Sequence, residues 1–301
     1  MRVELMIEGQ EDVTWPDWKA LASTCEASGI ATLFRSDHYL SVFGRGDRGS
    51  LDAWATINAL AAVTTKLRFG TLVSPATFRH PSELAKVVAT ADHVSGGRVE
   101  LGMGTGWLEA EHEAYGFPFP PLGERMRMLE DQLQHVDRQW GDESPAQPKP
   151  VQRPRPNLIV GGRGGPRSVR MAARYADEYN TVNKTAEECR SIREQLTAAC
   201  AQAGRDPIPL SLMTGWLAGA DQAELLDRAG RLAEWQGSDA APADFLAQQR
   251  DSSLAGTLDE NVERLRELER AGVERVMLQH LLHRDLDAVE QIGRVVAPAL
   301  A

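Results

Sequence analysis

The chain has 301 residues, of which 42% are hydrophobic and 25% are charged, so it can bury one large core or two modest ones. Its formal net charge of -10 argues against nucleic acid as a partner, because binding to a phosphate backbone needs clustered Lys and Arg. With no signal-peptide pattern and no run of about 18 apolar residues, the sequence predicts a soluble cytoplasmic protein that binds small molecules and no membrane.

Short runs rich in β-forming residues recur eight times, at 3–7, 31–34, 67–73, 99–103, 158–160, 178–182, 208–216 and 275–280. Helical patterns lie between them, with Thr14 and Ser82 marking two helix starts and Gly29 and Gly96 marking two left-handed helix ends. Strands that alternate with helices over about 250 residues are typical of a (β/α)8 barrel. The sequence therefore predicts a TIM barrel in which residues 1–301 form a single domain.

The alternative fold is a doubly wound open sheet, which places a G-x-G-x-x-G turn after its first strand. Here the first strand ends in Glu8-Gly9-Gln10, and the glycine clusters come later, so the barrel is favoured. Residues 144–156 contain five prolines and are interpreted as a connection before the fifth strand rather than as a domain linker. Residues 221–256 are predicted to be an insertion after the seventh strand, near the barrel mouth.

In a barrel of this kind the site is built at the carboxyl ends of the strands. Those ends carry many polar and aromatic residues, which in chain order are Glu8, Ser36, Asp37, His38, Ser74, Thr77, Arg79, Thr105, Trp107, Glu109, Arg163, Asn180, Asn183, Trp216, Gln279, His280 and His283. The adjacent pair Asp37 and His38 is the sharpest candidate for catalysis, because an imidazole beside a carboxylate can move a proton near neutral pH. The alternative is a structural or helix-capping histidine.

Two glycine clusters follow short apolar strands. The first has alternate glycines at Gly102, Gly104 and Gly106, which would let the backbone approach a planar or phosphorylated ligand closely. The second lies within 161–167, where exposed amides at a helix start, beside Arg163 and Arg167, would form an anion site. An ordinary left-handed turn is the alternative. Together the clusters predict a cofactor that carries a phosphate.

Two other groups of residues receive structural interpretations. The run Glu109, Glu111, His112 and Glu113 lacks the spacing of an H-E-x-x-H metal motif, so it is interpreted as an acidic first turn of a helix and no metal is predicted. The cysteines have neither metal nor redox spacing and are expected to be buried, reduced thiols; they are Cys25, Cys189 and Cys200.

Several motifs occur in the order found in one protein family. They are Arg35-Ser36-Asp37-His38, Gly70-Thr71-Leu72-Val73-Ser74-Pro75, Phe78-Arg79-His80-Pro81, Ser95-Gly96-Gly97-Arg98-Val99-Glu100-Leu101-Gly102, Gly104-Thr105-Gly106-Trp107, Gly161-Gly162 and Val276-Met277-Leu278-Gln279-His280. Together they resemble the luciferase-like monooxygenase superfamily, and within it the branch of deazaflavin-dependent oxidoreductases that use coenzyme F420. The resemblance covers nearly the whole chain.

This resemblance implies a cofactor across the carboxyl-terminal mouth of the barrel, with Asp37 and His38 beside its redox-active ring and His38 as proton donor or polar stabiliser. It also implies a bulge at Val73-Ser74, with a non-prolyl cis peptide, behind the ring. Glycine backbone would hold the cofactor side chain and its phosphate. With the anion loop, the residues expected to bind the cofactor are Val73, Ser74, Gly104, Thr105, Gly106, Gly161, Gly162, Arg163, Gly164 and Gly165.

Three functions follow as hypotheses. The first is hydride transfer between F420 and a small organic substrate; the second is an FMN-dependent monooxygenase; the third is a cofactor-binding protein without turnover. A partly apolar substrate pocket is expected from Glu8, Phe78, Trp107, Trp216 and Gln279. The resemblance also implies a homodimer, which light scattering tests. The connection at 141–147 is shorter than in the family that the chain resembles, and we expect it to reshape the side of the mouth near the cofactor tail.

Overall fold

A computed structural model describes all 301 residues as a closed barrel of parallel strands surrounded by helices. The ten strands are β1 (Arg2–Ile7), β2 (Thr32–Arg35), β3 (Arg68–Thr71), β4 (Ser74–Pro75), β5 (Val99–Gly104), β6 (Asn157–Gly161), β7 (Glu178–Val182), β8 (Leu210–Gly219), β9 (Leu254–Thr257) and β10 (Arg275–Gln279). Eight of them form the barrel, which closes because β10 pairs with both β1 and β8. The predicted TIM barrel and its eight strands are confirmed.

The helices fill the intervals between strands. They are α1 (Trp15–Ser28), α2 (Ala53–Val63), α3 (Pro81–Ser95), α4 (Glu109–Tyr115), α5 (Leu122–Trp140), α6 (Pro166–Tyr175), α7 (Ala186–Gln202), α8 (Gln222–Gln236), α9 (Pro242–Arg250), α10 (Leu258–Arg270) and α11 (Leu286–Gln291). Thr14 caps α1, and Gly29 and Gly96 end α1 and α3 with φ of 92° and 69°, as predicted. The cap of α3 is His80 rather than Ser82, because the His80 ring accepts from the Ser82 amide. No helix combines the length and the apolarity needed to cross a membrane.

The main core lies between the strands and the outer helices, and a smaller apolar layer fills the barrel interior. That inner layer consists of Met6, Phe34, Leu72, Ile159 and Met277. The three cysteines are buried and free, as expected. Burial raises the pKa of the Cys25 thiol, and it raises the pKa of Cys189 to about 11.

An ion cluster occupies the amino-terminal end of the barrel interior. Arg275 on β10 bonds both oxygens of Glu100 on β5, at 2.7 and 3.2 Å, and one oxygen of Glu178 on β7 at 3.1 Å. The Arg275 side chain also lies 3.4 Å from Glu4 on β1 and is only 1% exposed. No local pattern in the sequence predicts this cluster. Its members come from four separate strands, and barrel closure alone brings them together.

The segment 221–256 holds α8, α9 and most of β9, and these elements form a small apolar cluster together with Leu217 on β8. β9 pairs with the end of β8 that extends past the barrel. On the other side, Trp235 contacts the loop that follows β2: the Arg48 guanidinium lies 3.8 Å from the Trp235 ring centre, and the Phe43 ring centre lies 5.3 Å from it. The segment 221–256 therefore packs against the loop that follows β2.

Candidate functional site

Asp37 lies at the mouth, where β2 ends, and its carboxylate is fully engaged. Ser74 donates a hydrogen bond of 2.6 Å to it, and Arg79 donates two, of 2.6 and 3.1 Å. Arg79 also bonds Asp52 at 2.7 Å, and the Asp37 side chain is only 1% exposed. The expected pairing of Asp37 with the neighbouring His38 ring is therefore wrong. Asp37 instead ties the end of β2 to the bulge after β3.

His38 finds its carboxylate partner on another element. Its Nδ1 lies 2.9 Å from Oε2 of Glu111 on α4, and Trp107 packs edge-on against the ring at 5.6 Å. The second ring nitrogen, Nε2, has no partner in the protein. Burial lowers the pKa of His38, but the hydrogen bond and charge of Glu111, with Glu8 and Asp37 nearby, outweigh it and hold the pKa above its ordinary value.

Glu111 is the residue of this candidate site that sequence reasoning missed. Its side chain is fully buried, and its second oxygen, Oε1, accepts from the amides of Tyr39 and of Leu40, the latter at 3.2 Å. The acidic first turn predicted here does exist, but Glu109 and Glu113 face solvent while Glu111 and His112 face inward. The sequence does contain a signal for this burial. α4 has no large apolar residue before Tyr115, so the face that packs inward must carry polar side chains.

His112 is the other buried polar residue of α4. Its Nε2 lies 2.6 Å from the Thr77 hydroxyl and its Nδ1 lies 2.7 Å from the Leu108 carbonyl oxygen. Both ring nitrogens are thus used to fasten the loop after β5 to the loop after β4. The structure contains no group of three His, Cys, Asp or Glu side chains placed to hold a metal ion.

The bulge between β3 and β4 contains a cis peptide bond between Leu72 and Val73, one bond before the expected Val73-Ser74 dipeptide. The Val73 side chain lies across the ends of β5 and β6. A Cβ on Gly102, Gly104 or Gly161 would come within 3.1, 2.5 or 3.0 Å of its methyl groups. Gly104 and Gly161 thus make room for Val73, whereas a Cβ on Gly102 would lie closest to the Thr71 carbonyl oxygen. The expected approach of a ligand is therefore not the only reason for these three glycines. Ser74 supports the bulge by donating to Asp37.

Thr105 and Gly106 continue the backbone beyond β5. Gly106 has a φ of 73°, and a Cβ there would lie 3.0 Å from the Thr77 hydroxyl, so the turn requires glycine. The Thr105 hydroxyl donates to the Gly106 carbonyl oxygen at 3.3 Å. Both residues stand at the mouth beside Trp107.

The loop from β6 to α6 presents free amides. Gly164 has a φ of 82° and donates its amide to the Tyr179 hydroxyl at 2.9 Å, and a Cβ on Gly162 would lie 2.5 Å from that same hydroxyl. Gly165 faces open space, and the Arg163 side chain is exposed. The amides without an acceptor in the protein are those of Arg163, Gly165, Arg167 and Ser168. Free amides at the start of a helix suit an anion such as a phosphate.

The five residues expected to line a substrate pocket divide into two groups. Glu8 accepts hydrogen bonds from Gln279 and, at 2.8 Å, from Gln10, while Trp107 is exposed beside His38. Phe78 and Trp216 are only 8% and 4% exposed. Phe78 stacks against the Tyr39 and Phe117 rings at 5.3 and 4.5 Å, and Trp216 belongs to the main core, so packing accounts for both.

Comparison with known proteins gives three informative relatives. An uncharacterized protein of Mycobacterium tuberculosis (strain ATCC 25618 / H37Rv) is 34% identical over 53% of this chain and 60% of its own. An FMNH2-dependent dimethylsulfone monooxygenase of Pseudomonas putida is 27% identical over 62% of this chain and 54% of its own. An F420-dependent glucose-6-phosphate dehydrogenase of Microbacterium testaceum (strain StLB037) is 32% identical over 52% of this chain and 50% of its own. The matches thus span 50–60% of these relatives.

Among solved structures, monooxygenase RslO1 from Streptomyces bottropensis superposes with a TM-score of 0.82 at 20% identity, with both chains fully covered. An F420-dependent secondary alcohol dehydrogenase superposes with a TM-score of 0.80 at 18% identity, again with both chains fully covered. Similarity at this identity shows the fold. The family model described as luciferase-like monooxygenase matches residues 2–278, nearly the whole chain. The chain therefore belongs to the luciferase-like monooxygenase family.

Proposed function

We propose that this protein is an F420-dependent oxidoreductase that transfers a hydride between the deazaflavin and a small organic substrate. The observation that carries the proposal is His38, which stands at the mouth with Nδ1 bound to Glu111 and Nε2 free. A ring anchored at one nitrogen can exchange a proton with a ligand at the other. The F420-dependent relatives and structures found in the comparisons support this cofactor.

The residues at the mouth fit such a cofactor. The free amides between Arg163 and Ser168 and the exposed Arg163 side chain suit its phosphate. The Val73 side chain, supported by glycines on β5 and β6, offers an apolar surface for a flat ring. When bound, the deazaflavin supplies the hydride chemistry, and the protein supplies orientation and polarity.

In this proposal His38 moves the proton that accompanies the hydride. When an alcohol is oxidised, neutral His38 accepts the hydroxyl proton at Nε2 as the hydride leaves the carbon. When a carbonyl is reduced, protonated His38 donates from the same atom to the oxygen. Glu8 and Gln279, which bond each other nearby, are positioned to contact the polar part of the substrate.

An FMN-dependent monooxygenase is the second candidate, because FMNH2-dependent relatives are found at comparable identity. The amides after Gly161 suit the phosphate of either cofactor, so this loop does not separate them. A deazaflavin lacks N5, the atom that lets reduced flavin react readily with oxygen. The two candidates therefore differ in whether the protein consumes oxygen.

Direct binding tests the proposal. Protein made in a host that lacks deazaflavin is titrated with F420 and, separately, with FMN, and binding is followed by calorimetry and fluorescence. Saturable binding of F420 in preference to FMN is the expected result. Preference for FMN would move the protein to the oxygen-using branch, and binding of neither would refute both candidates.

A substitution then separates an enzyme from a binding protein. His38→Ala is expected to keep cofactor affinity while turnover falls by about 100- to 10,000-fold, the usual contribution of a general acid or base. His93→Ala is the matched control, since that ring is exposed and its hydrogen bond is to the Lys149 carbonyl oxygen. Turnover that survives His38→Ala unchanged would remove the proposed proton-transfer role.

A further inference from the structure

We infer that Glu111 is a positioning residue that fixes the tautomer of His38, placing the proton of the neutral ring on Nδ1 and leaving the Nε2 lone pair at the mouth. The consequence for turnover rests on the proposed function. The tautomer itself does not, because it follows from contacts within this chain.

The oxygen of Glu111 that lies away from His38 fixes the orientation of the carboxylate. Oε1 accepts from two main-chain amides, those of Tyr39 and Leu40. An amide N–H can only donate, so Oε1 must act as an acceptor. The carboxylate therefore has one defined orientation, with Oε2 turned toward His38.

The orientation of Glu111 in turn determines where the His38 ring carries its proton. Oε2 of Glu111 lies 2.9 Å from Nδ1 of His38. An ionised carboxylate has no hydrogen to donate, so Nδ1 must carry the proton. The neutral ring then has an unprotonated Nε2, and Nε2 is the atom without a protein partner. Because the Tyr39 and Leu40 amides belong to the turn that also carries His38, the same carboxylate holds both the ring and its backbone.

The negative charges around His38 also favour its protonated form. Besides Glu111 on α4, the ring is near Glu8 after β1 and Asp37 after β2. Asp37 is already paired with Arg79, whereas Glu111 contacts the ring directly. A buried ring beside an ionised carboxylate is stabilised in its protonated form. His38 therefore keeps its second proton to a higher pH than it would without Glu111.

Glu111→Gln replaces one carboxylate oxygen by an NH2 group and so reverses the direction of the hydrogen bond with His38 Nδ1. The single oxygen of the glutamine must face the Tyr39 and Leu40 amides, so its NH2 group faces Nδ1. A donor at that place requires Nδ1 to accept, and the proton of the neutral ring moves to Nε2. In the protonated ring, the N–H group at Nδ1 would face the NH2 group of the glutamine, and two donors repel each other. His38 should therefore titrate at a lower pH than in the wild-type protein.

The experiment is 15N NMR of the histidines in the full chain without cofactor, over a pH titration, with His38→Ala used to assign the His38 signals. The expected wild-type tautomer has the proton on Nδ1. Glu111→Gln should show it on Nε2 and a lower midpoint. Glu113→Gln changes the same charge on the exposed face of α4 and should match the wild type. A wild-type Nε2–H tautomer, or an unchanged His38 in Glu111→Gln, would overturn the inference.

Two further readouts keep the outcomes separate. If Glu111→Gln fails to fold, the tautomer of His38 in the wild-type protein still tests the inference, and a neutral ring with its proton on Nε2 refutes it. In the pH profile of kcat, the limb due to His38 should move to lower pH in Glu111→Gln. Turnover should fall by about 10- to 100-fold, the effect known for carboxylates that orient metal-bound histidines. If neither cofactor binds, the proposed function fails while the tautomer result stands.

Discussion

Replacing Arg275 by methionine removes the one cation buried among the carboxylates inside the barrel. The Arg275 guanidinium donates two hydrogen bonds to Glu100 and one to Glu178, and lies 3.4 Å from Glu4. The nearest other cation, Arg68, bonds Glu100 at 3.1 Å but is 33% exposed. Methionine has a similar length and keeps the apolar packing, so the variant mainly removes charge and hydrogen bonds.

The expected loss at pH 7 is about 3–5 kcal/mol of unfolding free energy, the cost of leaving a buried charge without its partner. Typical domains have only about 5–15 kcal/mol in total. Burial raises the pKa of Glu100, but the charge and hydrogen bonds of Arg275, with Arg68 and Asn157, outweigh it and lower that pKa to about 2. This lowered pKa means that Glu100 stabilises the wild type fully above the unfolded pKa of 4.5 and loses that effect as pH falls toward 2.

In Arg275→Met, burial of Glu100 remains while its main countercharge is gone, so its pKa should rise above the unfolded value. A carboxyl group with a raised folded pKa destabilises the protein at neutral pH, and acid relieves that cost. The stability difference between wild type and variant should therefore shrink between pH 7 and pH 5.

Urea unfolding followed by circular dichroism at both pH values measures this difference. The control is Arg284→Met, since Arg284 is 62% exposed and its pairs with Asp12 and Asp17 are at the surface. We expect the control to cost at most about 1 kcal/mol. A loss in Arg275→Met no larger than in the control, or one that grows on acidification, would refute the reasoning.

Three other predictions follow from the packing. Gly104→Ala should lower the unfolding free energy by about 1–3 kcal/mol by overpacking Val73, whereas Gly165→Ala, in open space, should change it by less than about 0.5 kcal/mol; equal losses in urea unfolding would contradict this. Tyr179→Phe removes the acceptor of the Gly164 amide and should weaken phosphate binding in calorimetry, which unchanged affinity would contradict. The three buried cysteines should react with a thiol reagent only after unfolding; fast labelling of the folded protein would be inconsistent with their burial.

Much of the fold could be read from local patterns. β7 begins and ends at the predicted residues, and the capped ends of α1 follow from Thr14 and Gly29. Helix caps and strand alternation are decided within a few residues, so they are visible in one sequence. The same holds for the positions of His38 and of the glycine clusters at strand ends, where a barrel places its site.

The partners of those residues depend on contacts between elements that are far apart in the chain. His38 pairs with Glu111, 73 positions away, and not with the adjacent Asp37. Val73 covers glycines on two later strands, and Arg275 meets carboxylates from three others. Strand order and register determine such contacts, and neither can be read from a short stretch of the sequence. Local patterns thus place His38 and the glycine clusters at strand ends, whereas barrel closure sets their partners, because those partners lie on elements distant in the chain.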